Sequence, residues 1–160
     1  MDAEATEELL EAWRTNQRIC LHLLEGITDE GLAATLSTRG GRDVARQIAH
    51  VHSNRARWLD RRGAADLAEG LRIFAAKETP SREALIEALE ASADAVERFF
   101  RECASGERKI RGQKKGLITS LAYHVAHESH HRGGILLTLK QCGHMPDKDA
   151  VYGIWDWHRR

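Results

Sequence analysis

Four of the nine histidines in this 160-residue chain, His124, His127, His130 and His131, fall within eight positions. Imidazole is the commonest protein ligand for first-row metals and the side chain that most readily changes protonation near neutral pH. On a helix each residue turns about 100°, which sets His127 and His131 about 40° apart and His124 about 20° beyond His131. These three share a face with Leu117, Leu121 and Ile135, while His130 points about 100° away from His131. An i, i+4 pair holds one ion from two sides. His124 and His131, separated by about 10.5 Å of helical rise, do not both reach a single ion at about 2.1 Å. A third ligand therefore has to come from another segment, and His50 and His52 are the histidines available within a long apolar stretch. Periodicity leaves both open. Glu128, next to the pair, is either a general base or a partner in an interhelical hydrogen bond. The alternative to metal binding is a set of hydrogen-bonded core histidines.

Residues 127–131 also spell His-Glu-Ser-His-His, the H-E-x-x-H signature of zinc peptidases. Such enzymes need a third ligand and commonly an edge strand that aligns the substrate backbone. This sequence predicts no such strand. Gly133-Gly134 directly after the motif is expected to interrupt its helix, because each glycine costs about 1 kcal/mol relative to alanine in a helix interior. The match is a weak argument for a peptidase.

The elements that must position these groups are helices. The chain has two prolines and long Ala/Leu/Glu/Arg-rich segments. Leu9, Trp13, Cys20, Leu24 and Ile27 predict an amphipathic helix over roughly residues 4 to 26, stopped near Gly26. Gly40-Gly41 opens a second, with Val44, Ile48, Val51, Trp58 and Leu59 on its apolar face, closing at Gly63. Arg55 lies within that stripe and needs a carboxylate or another acceptor if buried; a structural ion pair is expected. Ala64 to Glu78 reads as a connection with one short helix. Thr79-Pro80 then predicts a helix start, threonine as cap and proline in the first turn. Leu85, Leu89, Ala93, Val96, Phe99, Phe100 and Cys103 trace the third stripe, ending near Gly106. The fourth helix carries Leu117, Leu121, Ile135 and Leu139 and ends around Gly143. Four such helices bury their stripes most economically as one all-α four-helix bundle, with a connection between the second and third long enough for a crossover. The tail, with Tyr152, Trp155 and Trp157, is expected to pack on the bundle or at a subunit contact.

Composition narrows the function classes. Lysine plus arginine and aspartate plus glutamate each number 24, so the net charge is zero and no global field attracts nucleic acid or anionic membranes. The acidic start lacks a basic leader, and no stretch approaches 18 consecutive apolar residues, so a single-domain, cytoplasmic protein is expected. Cys20, Cys103 and Cys142 are odd in number and outside any C-x-x-C spacing, which argues for reduced, structural thiols. The basic run Arg108, Lys109, Arg111, Lys114 and Lys115 reads as a solvated loop, recognition of an anionic cofactor or substrate being its alternative.

Three segments, "GRDVARQIAHVHSNRARWL", "AYHVAHESHHRGGILLTLKQCGH" and "YGIWDW", make the chain resemble the DinB-like family of metal-binding four-helix bundles, related to mycothiol- and bacillithiol-dependent transferases. The family's histidine about eight residues before a tryptophan matches His50 and Trp58, and its H-x-x-x-H-R-G segment matches His127, His131, Arg132 and Gly133. The resemblance implies a metal triad of His50, His127 and His131, with His52, His124 and His130 outside it. It implies zinc or nickel as the ion and a small-molecule substrate. It further implies a transferase using a low-molecular-weight thiol, or a hydrolase, with a non-catalytic stress-response or metal-binding bundle as the alternative, and a homodimer. Gly134 stands where relatives usually carry glutamine, and His124 is the candidate to stand in for that side chain.

Overall fold

Most helix starts in this computed structural model, which describes residues 1–112 and 116–159, are set by side-chain caps. Asp2 accepts from the Ala5 N–H at the head of α1 (Ala3–Glu25), and Thr28 does the same for the short α2 (Asp29–Ala33). Asp43 Oδ1 accepts from the Arg46 N–H at 2.7 Å to open α3 (Val44–Arg61). Gly63, at φ +81°, follows its end after Arg62, a left-handed turn that a β-carbon would strain. The connection beyond it contains α4 (Ala65–Ala68). The next long helix, α5 (Arg82–Ser105), is capped by Ser81, not by Thr79. The Thr79 hydroxyl donates instead to Asp43 Oδ2 at 2.8 Å, so one carboxylate caps α3 and tethers the approach to α5.

The histidine-bearing helix α6 (Gly116–Gln141) runs unbroken through Gly133 and Gly134, contrary to the expected interruption. Tertiary packing outweighs the two glycine penalties, because the turns beyond them bury Ile135, Thr138 and Leu139. A short α7 (Lys148–Tyr152) and a 3-10 turn (Gly153–Trp155) bring the tail back against α1. A β-carbon on Gly26 would lie 2.3 Å from Ala150 Cβ, so glycine there is required by the close approach of α7. The His22 ring contacts the Asp149 carbonyl at 3.0 Å beside it. Among the described residues the fold is all-helical, and no helix is long and apolar enough to cross a membrane.

Two apolar clusters make the core. One joins Leu23 and Leu24 of α1, Ile48 and Val51 of α3, Leu85 and Leu89 of α5, and Ile135 and Leu139 of α6. The other joins Leu10 and Trp13, Trp58 and Leu59, and Phe99 and Phe100, with Leu117 and Leu121 packed on it. Along every one of the four long helices a polar residue separates the clusters: Asn16, Arg55, Ser92 and Glu128, all essentially inaccessible to solvent.

Candidate metal centre

That polar layer is a single network. Arg55 presents its fork to Glu128, Nε to Oε1 at 2.7 Å and Nη2 to Oε2 at 2.8 Å, while Nη1 donates to Gln17 Oε1 at 2.7 Å and the Leu89 carbonyl at 3.0 Å. Asn16 Nδ2 donates to Glu128 Oε2 at 2.6 Å, and Arg132 Nη1 donates to Asn16 Oδ1 at 3.0 Å. Burial alone would raise the Glu128 carboxyl pKa, but the Arg55 charge and the hydrogen bonds overcome it and bring it down to about 2. The pairing expected for Arg55 thus has Glu128 as its partner, and it ties α3 to α6.

Next to Glu128 on the adjoining face of α6, His127 and His131 turn their rings toward α3. Their Nε2 atoms stand 3.2 Å apart. His50 of α3 closes the group, with ring centroids 4.8 Å from His131 and 5.7 Å from His127. One nitrogen from each of the three can be chosen so that all lie within 4.8 Å of one another, and each residue is half-buried. Asn54, one turn after His50, brings Nδ2 to 3.5 Å from His127 Nδ1, and the Tyr123 ring stacks on His127 with centroids 5.8 Å apart. These contacts orient the His127 ring, whose Nε2 faces that of His131.

Electrostatics keep the three imidazoles neutral. Burial first, then the charges of Arg42, His131, His127 and Arg57, push the His50 pKa down to about 4. Burial, followed by His127, His130 and Arg42, brings His131 down to about 4. His127 is lowered by burial, against the opposing pull of Glu128. The neutral ring is the form that offers a lone pair to a metal.

The remaining histidines lie elsewhere. His52 is buried and places Nε2 2.6 Å from the Arg72 carbonyl, holding the α3–α5 connection, with Phe74 against its ring. His130 is exposed, its ring edge-to-face with that of His131 at 5.4 Å between centroids. His124 is fully buried among Trp13, Trp58 and Phe100, and among the described residues neither ring nitrogen has a hydrogen-bond partner. It does not stand in for a glutamine side chain at position 134, because ten residues of helix put about 15 Å between His124 and Gly134. The side chain facing Gly134 is Gln47, whose Oε1 lies 3.7 Å from where a β-carbon would sit. In the basic loop Arg108 is neither solvated nor aimed at a ligand: it pairs with Asp66 and Glu102 at 2.6 and 2.7 Å. Lys114 and Lys115 lie outside the described residues.

Sequence reasoning overlooked Arg42 and Arg57, which line a cleft with His50. A signal was present in the four-residue steps Arg42, Arg46, His50, which set two cations in line with a candidate ligand. It also overlooked Asn16, which has no distinguishing pattern in α1.

The three-histidine group fits a metal-binding protein. No curated protein matches the chain. The family model described as the DinB family matches residues 1–158, and with helices throughout and that group in place, the chain belongs to the DinB family.

Proposed function

We propose that this is a divalent-metal-dependent enzyme in which His50, His127 and His131 hold a zinc or nickel ion. It acts on a small molecule, as a transferase using a low-molecular-weight thiol or as a hydrolase. The observation that carries this reading is the convergence of three neutral imidazoles from two helices, with ligand atoms within 4.8 Å of one another. Two nitrogens that share one ion at about 2.1 Å stand roughly 3.0–3.4 Å apart, and the His127–His131 separation of 3.2 Å falls in that interval. The donor set is also chemically apt, since imidazole suits both metals.

An ion held by three neutral ligands keeps its charge and supplies Lewis acidity to a water or thiol. The chain's own residues do the positioning. Asn54 stands beside His127 Nδ1 at 3.5 Å; it serves a metal-bound ring once its amide turns to present the oxygen, which accepts the Nδ1–H and leaves Nε2 unprotonated. We assign Glu128 to positioning as well: its carboxylate is committed to Arg55 and Asn16, and a pKa of about 2 makes it a poor proton acceptor. We also infer a four-helix bundle with a crossover between α3 and α5. Its support is that the first halves of both helices share one apolar cluster and their second halves share the other.

Metal analysis of the purified protein and of His50→Ala, His127→Ala and His131→Ala tests the site. About one equivalent in the parent and a large loss in each variant is expected; equal content in all four eliminates it. Incubating the loaded protein with small thiols and electrophilic acceptors, and with esters and amides, tests catalysis. The second reading is a non-catalytic metal-binding or stress-response protein acting through a homodimer or partner interface. It is favoured by the exposed Tyr152 and Trp155 of the tail. A stoichiometric ion, inactivity across the panel and a dimer in solution would select it.

A further inference from the structure

His50 lies in the wall of a cleft of about 440 Å³ between α3 and residues 73–78 of the segment that leads to α5. That volume falls within the roughly 300–1,000 Å³ typical of small-molecule sites. The two walls differ in chemistry. The α3 wall is polar apart from Ala49, with Arg46, His50 and Ser53 along it, whereas the facing wall runs Ile73, Phe74, Ala75, Ala76, apolar residues in unbroken succession.

That facing wall has no helix or strand of its own, yet it is pinned in place. The Arg72 carbonyl lies 2.6 Å from His52 Nε2, and the Phe74 ring packs edge-on against the same imidazole. Arg46 Nη2 donates to the Ala76 carbonyl at 2.6 Å. Glu78 pairs with Arg72 at 2.7 Å and accepts from the Ala75 N–H at 3.0 Å, so the carboxylate in the lining is already neutralised. His52, two residues from His50, thus anchors the wall that His50 faces across the cleft. Phe74 is turned inward, but Ile73 is not: it is 75% exposed, and Ala75 and Ala76 are exposed beside it. Apolar surface held rigid next to a candidate metal ligand is surface that a bound molecule covers without a further loss of chain entropy.

We propose that this segment is the specificity wall of the candidate site: the cleft takes a small molecule with a short alkyl arm, the arm lying against Ile73 and Ala76 and the polar end beside His50. The inference rests on the metal-site reading only for what the polar end meets; the contact with the arm stands on the cleft itself. Selectivity then follows chain length, because each methylene buried against the wall adds affinity while the polar end stays the same.

The test is calorimetric titration of acetohydroxamate and hexanohydroxamate, which share one metal-directed head and differ by four methylenes, into the protein as purified, with metal content measured on the same samples. A fully buried methylene is worth about fourfold in affinity, so the parent protein is expected to bind the longer probe at least about tenfold more tightly. The double variant Ile73→Ser/Ala76→Ser, altered only at exposed side chains, should lose most of that ratio while its metal content and its affinity for acetohydroxamate stay unchanged. Ile118→Ser removes an aliphatic side chain of similar exposure, 70%, from α6 outside the cleft and should keep the ratio. A ratio near one in the parent, no binding of either probe, or a ratio that survives the double substitution overturns the proposal. Protein that carries no metal yet shows a preference dependent on Ile73 and Ala76 would sink the metal reading and leave the wall standing.

Discussion

Arg55 and Glu128 are fully buried, and each makes sense only with the other in place. Removing one partner of such a pair leaves an uncompensated charge in the core and costs about 3–5 kcal/mol. Arg55→Met should therefore destabilise the protein by that amount in urea unfolding. Arg55→Met combined with Glu128→Leu should cost clearly less than the two single changes added together, and strict additivity would contradict the coupling. His124 makes a different prediction. Burial holds its pKa at about 4 in the folded protein, whereas the unfolded chain binds the proton near 6.5. Because the unfolded state binds more protons between those values, stability falls as pH drops from about 6.5 to about 4. The slope from this residue approaches 1.4 kcal/mol per pH unit, and His50 and His131 add to it in the metal-free protein. His124→Phe should flatten the metal-free stability profile in that window; an unchanged slope would show that the buried ring is not responsible. Glu128 extends acid sensitivity lower, its contribution lost as pH falls from about 4.5 toward about 2.

The glycines separate local from tertiary control at the level of whole helices. Gly133 is helical, and a β-carbon there meets nothing within 4 Å. Gly133→Ala should stabilise α6 by about 1 kcal/mol, read as a rise in melting temperature, with metal content unchanged. Gly26 is the opposite case, since a β-carbon would collide with Ala150 on α7. Gly26→Ala should lift the tail from α1, which limited proteolysis near residues 144–153 would detect as faster cleavage. The sequence marked both ends of this contrast as helix punctuation, by composition alone. It misplaced the start of α5 by a similar route: Thr79-Pro80 carries a start signal, but Ser81 has its side chain in reach of the Ala84 N–H, and Thr79 is drawn to Asp43 of another helix.

At the scale of the whole molecule, the proposed ligands come from α3 and α6, and an ion held between them would couple metal binding to folding. An ion that binds only the folded chain stabilises it by RT ln(1 + [L]/Kd), about 4 kcal/mol at a thousandfold excess over Kd. Added zinc or nickel should raise the melting temperature of the parent protein, chelator should reverse the rise, and His50→Ala should abolish it. A melting temperature indifferent to metal would count against the site. The sequence by itself determined the helical class, the four apolar stripes and the short list of histidines, because periodicity and spacing are properties of neighbours along one chain segment. It set the extent of α6 closely, but its expectation that Gly133-Gly134 interrupt that helix failed where burial of distant surfaces outweighed local propensity. Only the tertiary structure decided that His124 lies in an aromatic cage, that Glu128 faces Arg55 across 73 residues and Asn16 across 112, and that Arg42 and Arg57 share a cleft with His50. Those outcomes depend on how helices far apart in sequence are set against one another, and no local pattern of residues carries that distance.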